Sequence, residues 1–217
     1  MNVVIAGGHG KIALALSRLL AERGDRVIGL IRGHDHDADL LAVGANPERF
    51  DLENDAADDL VGTLRGADAV VFAAGAGPDS GAARKDTVDR GGAVLLADAA
   101  QAAGVRRYLM VSAAGADGPA DPGWGEVFTA YMAAKKAADD DLRARDLDWT
   151  VLRPGRLTDD AGTGRVALTS EPAPGEIPRE DVAAVLLALL DAPATAGRTL
   201  ELVGGDVPVE QAVAAAG

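Results

Sequence analysis

Tyr131-Met132-Ala133-Ala134-Lys135 is a Tyr-x-x-x-Lys spacing within a helical pattern, and Ser112 closes the apolar segment Arg107–Val111 upstream of it. Residues four apart share a helix face, so phenol and ammonium can meet. A free tyrosine titrates near ~10 and is a poor acid–base group at neutral pH; a neighbouring ammonium favours the phenolate and lowers that value. A hydroxyl at position 112 can hydrogen-bond a carbonyl oxygen and turn it toward the phenol. Ser112, Tyr131 and Lys135 together predict proton transfer at a carbonyl group. The competing reading is a tyrosine packed on a sheet and a lysine in solvent, since this spacing recurs by chance on many helices.

A second set of residues suits an anionic ligand. Asn2–Ala6 is an apolar run of strand type, followed at once by Gly7-Gly8-His9-Gly10-Lys11-Ile12-Ala13 and a helical stretch that stops at Gly24. Glycines let the backbone turn tightly beside a pyrophosphate, and the first helical N–H groups and the positive helix end then hold the phosphates. Ala13 is the small residue that lets the helix sit close to the strand. A P-loop is excluded, because Ile5 and Ile12 stand where that motif requires Gly and Ser or Thr. His9 lies in the loop and can touch phosphate.

The next apolar run, Val27–Ile31, ends in Arg32 rather than in an acid. A guanidinium suits a 2′-phosphate through charge-assisted bonds, so NADP is favoured over NAD. The alternative is a surface arginine paired with Asp35, Asp37 or Asp39. His34 and His36 alternate with these acids in what reads as a polar loop, and no metal site is expected.

The elements that must position these residues alternate. Arg26–Ile31, a short third run ending at Phe50 after an Asn46-Pro47 break, Ala69–Ala73, Arg107–Val111 and Trp149–Leu152 read as strands. Asp55–Leu64, Thr87–Ala103 and Val127–Arg145 read as helices. Such βα alternation predicts an α/β fold, a doubly wound parallel sheet of Rossmann type. The carboxyl edge of that sheet gathers Gly7–Gly10, Arg32, Asp51, Ala73–Gly75, Ser112 and Arg153–Gly155. Beyond residue 154 come loop-rich segments, a helix over Arg179–Leu190, a strand over Thr199–Val203 and a helical tail. The whole, 1–217, is expected to be one domain, with 154–217 completing the substrate side. Asp139-Asp140-Asp141 reads as a solvated helix face, and Asp117–Trp124 as a flexible loop. The substrate pocket is expected from Ala76–Lys85, Ala116–Phe128 and Leu157–Ile177.

Lys and Arg number 21 against 34 Asp and Glu, a net charge of −13. That balance disfavours nucleic acid and anionic membranes as partners and leaves a small molecule as the expected ligand. Cysteine is absent, which removes disulfides and thiolate chemistry. The apolar stretch Val182–Leu190 is too short to span a bilayer, and the chain opens on a core strand, so a cytoplasmic protein is expected, monomeric or weakly dimeric.

Together these residues resemble the short-chain dehydrogenase/reductase superfamily, in its atypical branch of compact NAD(P)H-binding proteins that includes biliverdin-reductase-like members. The resemblance runs through the glycine loop, Arg32, Asp51-Leu52, the strand Val70–Gly75, Val88-Asp89, Tyr108–Gly115, Tyr131 with Lys135, Asp148–Gly155 with its Arg153-Pro154-Gly155, and Ile177–Ala183. It implies a cofactor held by Gly7, His9, Gly10, Lys11, Ile12, Arg32, Asp51, Leu52, Ala73, Ala74, Gly75, Lys135, Pro154 and Gly155, with Ser112, Tyr131 and Lys135 catalytic. In that role Lys135 also binds the ribose. The chain departs from the family in lacking the long carboxyl-terminal region of the sugar-nucleotide epimerases, and in having no asparagine around Asp86–Leu95. The implied activity is NADPH-dependent hydride transfer to a small carbonyl, quinone or flavin-like substrate. A non-catalytic NADP(H) sensor and a small epimerase are the alternatives.

Overall fold

The computed structural model describes residues 1–77 and 80–217; Pro78 and Asp79, within one of the expected pocket segments, lie outside the described residues. The first half alternates as β1 (Asn2–Ala6), α1 (Lys11–Arg23), β2 (Arg26–Ile31), α2 (Asp37–Ala42), β3 (Ala45–Arg49), α3 (Ala57–Leu64) and β4 (Ala69–Phe72). A helical stretch follows as α4 (Ala82–Arg84), a π-helical turn Lys85–Gly91, and α5 (Gly92–Ala103). Then come β5 (Arg107–Val111), α6 (Glu126–Arg143), β6 (Asp148–Pro154), β7 (Arg156–Thr158), β8 (Arg165–Thr169) and β9 (Glu176–Pro178). The chain closes with α7 (Arg179–Leu190), β10 (Arg198–Gly204), β11 (Val207–Pro208) and α8 (Val209–Ala215).

The main sheet runs β11-β8-β10-β6-β5-β4-β1-β2-β3. Its strands from β10 to β3 are parallel, whereas β8 pairs antiparallel with β10 and β11 antiparallel with β8. Strand order reverses between β1 and β4, so the loops leaving these two strands flank the crevice where such sheets bind ligands. The expected doubly wound parallel sheet is thus present, extended by an antiparallel β8 that the loop-rich sequence beyond residue 154 does not reveal.

Alternation within each buried strand explains the unbroken apolar runs. Val3 and Ile5 join one core with Leu16, Leu20, Val182, Leu186 and Val213, from α1, α7 and α8. Val4 and Ala6 face the other, with Leu60, Leu64, Leu96, Ala100 and Leu142, from α3, α5 and α6. Each such leucine, fully buried, contributes roughly 1.5–3 kcal/mol relative to exposure.

Two local expectations are corrected. The third strand runs through Asn46-Pro47 instead of breaking there, because β3 is an edge strand and a ring nitrogen on its open side costs no ladder bond. The helix expected from Thr87 begins at Ala82, and its second segment is wound with π geometry. Among the described residues no helix is long and apolar enough to cross a membrane.

Candidate functional site

Two glycines fix the loop after β1. Gly7 has φ +80°, and a Cβ there would lie 2.6 Å from Ala74 Cα; a Cβ on Gly8 would lie 2.8 Å from Gly29 Cα. Only hydrogen lets the loop nest between the ends of β4 and β2. Gly10 then opens α1 as its N-cap without a side-chain hydrogen bond to the first turn, and no acid occupies that turn. Uncapped N–H groups at the positive end of a helix suit a phosphate, so the residues present fit a dinucleotide.

A cavity of about 690 Å³ opens at this point. Gly7, His9, Gly10, Arg32, Asp51, Leu52, Ala73, Ala74 and Gly75 line it, as do Glu53 and Arg84, which sequence reasoning did not single out. The other residues implied for the cofactor lie outside its wall. Lys11 bonds Asp159 at 2.6 Å, Ile12 is in the core, and Lys135 is buried against Asp89 of the π-helical turn. Pro154 accepts the Ala114 N–H, and the Gly155 N–H bonds Leu202. The Asp51 carboxylate accepts the Glu53 N–H and the Asn54 side chain, each at 2.9 Å, and so shapes the turn that presents Glu53. Arg32 is paired with Glu53 at 3.5 Å rather than with Asp35, Asp37 or Asp39.

His9, His36 and Asp39 bring three ligand-type atoms within 4.8 Å of one another. The two imidazoles stack at 3.6 Å and within 11° of parallel. Their lone pairs therefore run side by side instead of converging, and His9 Nε2 is satisfied by Asp39 at 2.8 Å. The geometry is that of a stacked, hydrogen-bonded pair on the rim of the cavity.

The π-helical turn and α6 face each other farther along the carboxyl edge. Lys135 is 4% exposed; its Nζ lies 3.3 Å from Asp89 Oδ1, donates to Val111 O at 3.2 Å and sits 5.8 Å from the Tyr131 ring centroid. The lysine is thus not in solvent. Asp89 also accepts the Ala76 N–H at 3.1 Å, tying the loop after β4 to this pair. Lys85, 6% exposed and the last residue of an expected pocket segment, stands 5.6 Å from the same ring centroid and donates to Gly77 O at 2.6 Å. Burial raises the Tyr131 phenol above its ordinary value; Lys135 pulls it down, as the sequence predicts, but by less, and Asp89 opposes the pull. The net shift runs opposite to the expected one, and the phenol is held protonated.

Ser112, 5% exposed, donates to Asp139 Oδ2 at 2.9 Å. The same oxygen accepts Arg153 Nε at 2.9 Å and its terminal nitrogen at 2.7 Å. Arg153 reaches Asp117 at 2.8 Å and Glu201 at 3.4 Å with its other nitrogen. Asp139 is therefore fully buried, which corrects the solvated-face reading of the aspartate run; Asp140 is exposed and Asp141 half-buried. Asp139 follows Tyr131 and Lys135 at steps of four, so the helical stripe through these residues was the signal that could have placed it inside. Burial also raises the Asp139 carboxyl, against the opposing pull of Arg153.

A family model described as NAD(P)H-binding matches residues 7–193. The chain belongs to this NAD(P)H-binding family. Among its relatives is a Bacillus subtilis protein named as an uncharacterized sugar epimerase, YhfK, 35% identical over 214 residues and covering 98% of this chain and 99% of that protein. A Bacillus halodurans structure named as a candidate NAD-dependent epimerase/dehydratase superposes with a TM-score of 0.91 at 33% identity, covering 99% of each chain. The anaerobillin reductase ChuY of Escherichia coli O157:H7 shares the fold, with a TM-score of 0.78 at 24% identity over 95% of this chain and 98% of that one. The family match begins in the glycine loop and spans the cavity and the Tyr131–Lys135 pair, so this is an NAD(P)H-binding protein.

Proposed function

We propose that this protein is an NADP(H)-dependent reductase of a small carbonyl, quinone or flavin-like compound. The observation that carries the reading is the cluster at Tyr131, whose ring centroid lies 5.8 Å from Lys135 Nζ and 5.6 Å from Lys85 Nζ along the carboxyl edge of the sheet. A phenol can give its proton to a carbonyl oxygen, and nearby ammonium groups stabilise the tyrosinate that this leaves.

Bound at the glycine loop, NADPH would supply hydride. Gly7, Gly10 and the first turn of α1 would hold its phosphates, and Arg32 would take the 2′-phosphate. Tyr131 Oη would give its proton to the substrate carbonyl oxygen as negative charge develops there. Lys135 stabilises the tyrosinate left behind, and water returns the proton. Ser112 has one hydroxyl proton, committed to Asp139 while that carboxylate is ionised, so it meets the substrate as an acceptor or as a positioning group.

The experiment is steady-state NADPH oxidation with a panel of small carbonyls and quinones, alongside calorimetric binding of NADP+. Tyr131→Phe should slow turnover by about 10²–10⁴-fold with NADP+ affinity unchanged. Unchanged turnover removes Tyr131 from the mechanism. A second reading, a nicotinamide-recycling epimerase, is favoured by the names of the 35% and 33% identical relatives. It predicts solvent deuterium or inverted configuration in a sugar product without net change in the dinucleotide.

A further inference from the structure

Charges at the adenosine end of the cavity are arranged around one carboxylate. Glu53 Oε2 lies 2.5 Å from a terminal nitrogen of Arg84 and 3.5 Å from Arg32, while Oε1 accepts Thr87 Oγ1 at 2.7 Å and Arg84 Nε at 3.3 Å. All three charged side chains line the cavity. Their side-chain exposures differ: 18% for Glu53, 41% for Arg84 and 61% for Arg32. Arg84 and Thr87, from α4 and the π-helical turn, hold the carboxylate firmly, and Arg32 is the loose partner. The Arg84 hydrogen bond keeps the Glu53 carboxyl below its ordinary value, so it is ionised at neutral pH.

The sequence places no acid at the end of β2, yet the fold brings one to the same spot from the loop after β3. An acid there accepts the ribose hydroxyls of an unphosphorylated adenosine, and a guanidinium there pairs with a 2′-phosphate. Both groups stand within one ion-pair distance here. We propose that Glu53 sets the preference between NAD(H) and NADP(H): it receives the ribose hydroxyls of NAD(H), and it opposes the 2′-phosphate both by like charge and by occupying Arg32. Arg84 acts through Glu53 as a positioning residue, holding the carboxylate at 2.5 Å and so limiting its pairing with Arg32 to the looser 3.5 Å contact. The inference rests on the dinucleotide site proposed above and on Arg32 as the phosphate partner.

Calorimetric dissociation constants for NADP+, NAD+ and adenosine 2′,5′-bisphosphate test it. Glu53→Gln should tighten NADP+ and the bisphosphate by about tenfold, the effect of one removed like charge at this range, and leave NAD+ equal or weaker. Arg84→Met should do the reverse, weakening NADP+ as Glu53 swings to Arg32, and this loss should vanish in the Glu53→Gln background. A Glu53→Gln protein whose NADP+ to NAD+ ratio stays within twofold of the parent overturns the role of Glu53. A loss on Arg84→Met that persists in the Glu53→Gln background overturns the indirect role of Arg84. Should Glu53→Gln not fold, Thr87→Val loosens the same carboxylate and should weaken NADP+; no change there also overturns the role. Arg32→Ala separates the two readings: if it leaves NADP+ and the bisphosphate unchanged, the phosphate assignment of Arg32 falls, whereas a loss there with a silent Glu53→Gln removes Glu53 alone.

Discussion

Replacing Asp139 with alanine decides whether the aspartate run on α6 is a solvated face or a latch. In the structure Asp139 is the sole described partner of two Arg153 nitrogens and accepts the Ser112 hydroxyl, at distances of 2.7–2.9 Å. Arg153 is 3% exposed, so its freed N–H groups cannot turn to bulk water. Asp117 and Glu201 still hold its other nitrogen, which moderates the loss. Removing one partner of a buried pair costs about 3–5 kcal/mol. At roughly 2–4 °C per kcal/mol for a chain of this size, a loss of about 4 kcal/mol lowers the melting temperature by about 8–16 °C. Urea denaturation gives the free energy, and Asp140→Ala, one residue along and paired only at the surface, should move it by less than about 1 kcal/mol. If Asp139→Ala costs no more than that control, the buried network contributes nothing and the reasoning is wrong. The pH dependence adds a sign. A carboxyl whose folded pKa is raised costs stability when ionised, and the cost is relieved as pH falls from the folded value toward 3.8. The deficit of Asp139→Asn relative to the parent should therefore grow on acidification from neutrality.

Three further outcomes follow from the same geometry. Lys85→Met should lower kcat/KM for the reducible substrate by about tenfold or more, with NADP+ affinity within twofold; Lys85→Arg should restore part of it, whereas an unchanged kcat/KM detaches Lys85 from the reaction. Gly7→Ala places a side chain at φ +80° and 2.6 Å from Ala74 Cα, so it should cost about 2–5 kcal/mol in urea denaturation and weaken NADP+ binding in calorimetry. Asp117, held well below the usual carboxylate range chiefly by its hydrogen bond with Arg153, contributes stability that is present above the unfolded value of 3.8 and is lost as pH falls through the lower folded value. Acid denaturation of Asp117→Asn should show a flatter dependence below about pH 4, and an unaltered slope refutes the contribution.

What the sequence reveals is what neighbours in the chain decide. β1, the glycine loop and α1 follow from a few consecutive residues, and the apolar runs of β4 and β5 announce burial on both faces. Long-range partners decide the rest. One aspartate of three is buried because Arg153 arrives from β6, a pairing no local pattern encodes, though the stripe 131, 135, 139 carries half of it. Pro47 is compatible with a strand only because β3 has a neighbour on one side, which is a fact of sheet order. Tyr131 illustrates a magnitude that spacing cannot supply: the lysine four residues on acts in the expected direction, but burial outweighs it, and Asp89 takes up part of the lysine's charge. Glu53 and Arg84 come from separate crossovers, so their meeting at Arg32 belongs to the tertiary structure.

The π-helical turn Lys85–Gly91 also bears on descent. Such a turn holds one residue more than an α-helical path between the same ends, and it arises most simply from a single-residue insertion into an ordinary helix. Deleting one residue there would rewind the helix and rotate everything before the deletion by about 100° against α5. Arg84 would leave Glu53, Lys85 would leave the Tyr131 ring, and the adenosine end and the reacting end would change in one event. Segment length here thus couples the two ends of the site: a chain with the extra residue can make both contacts, and one a residue shorter would need other side chains for them.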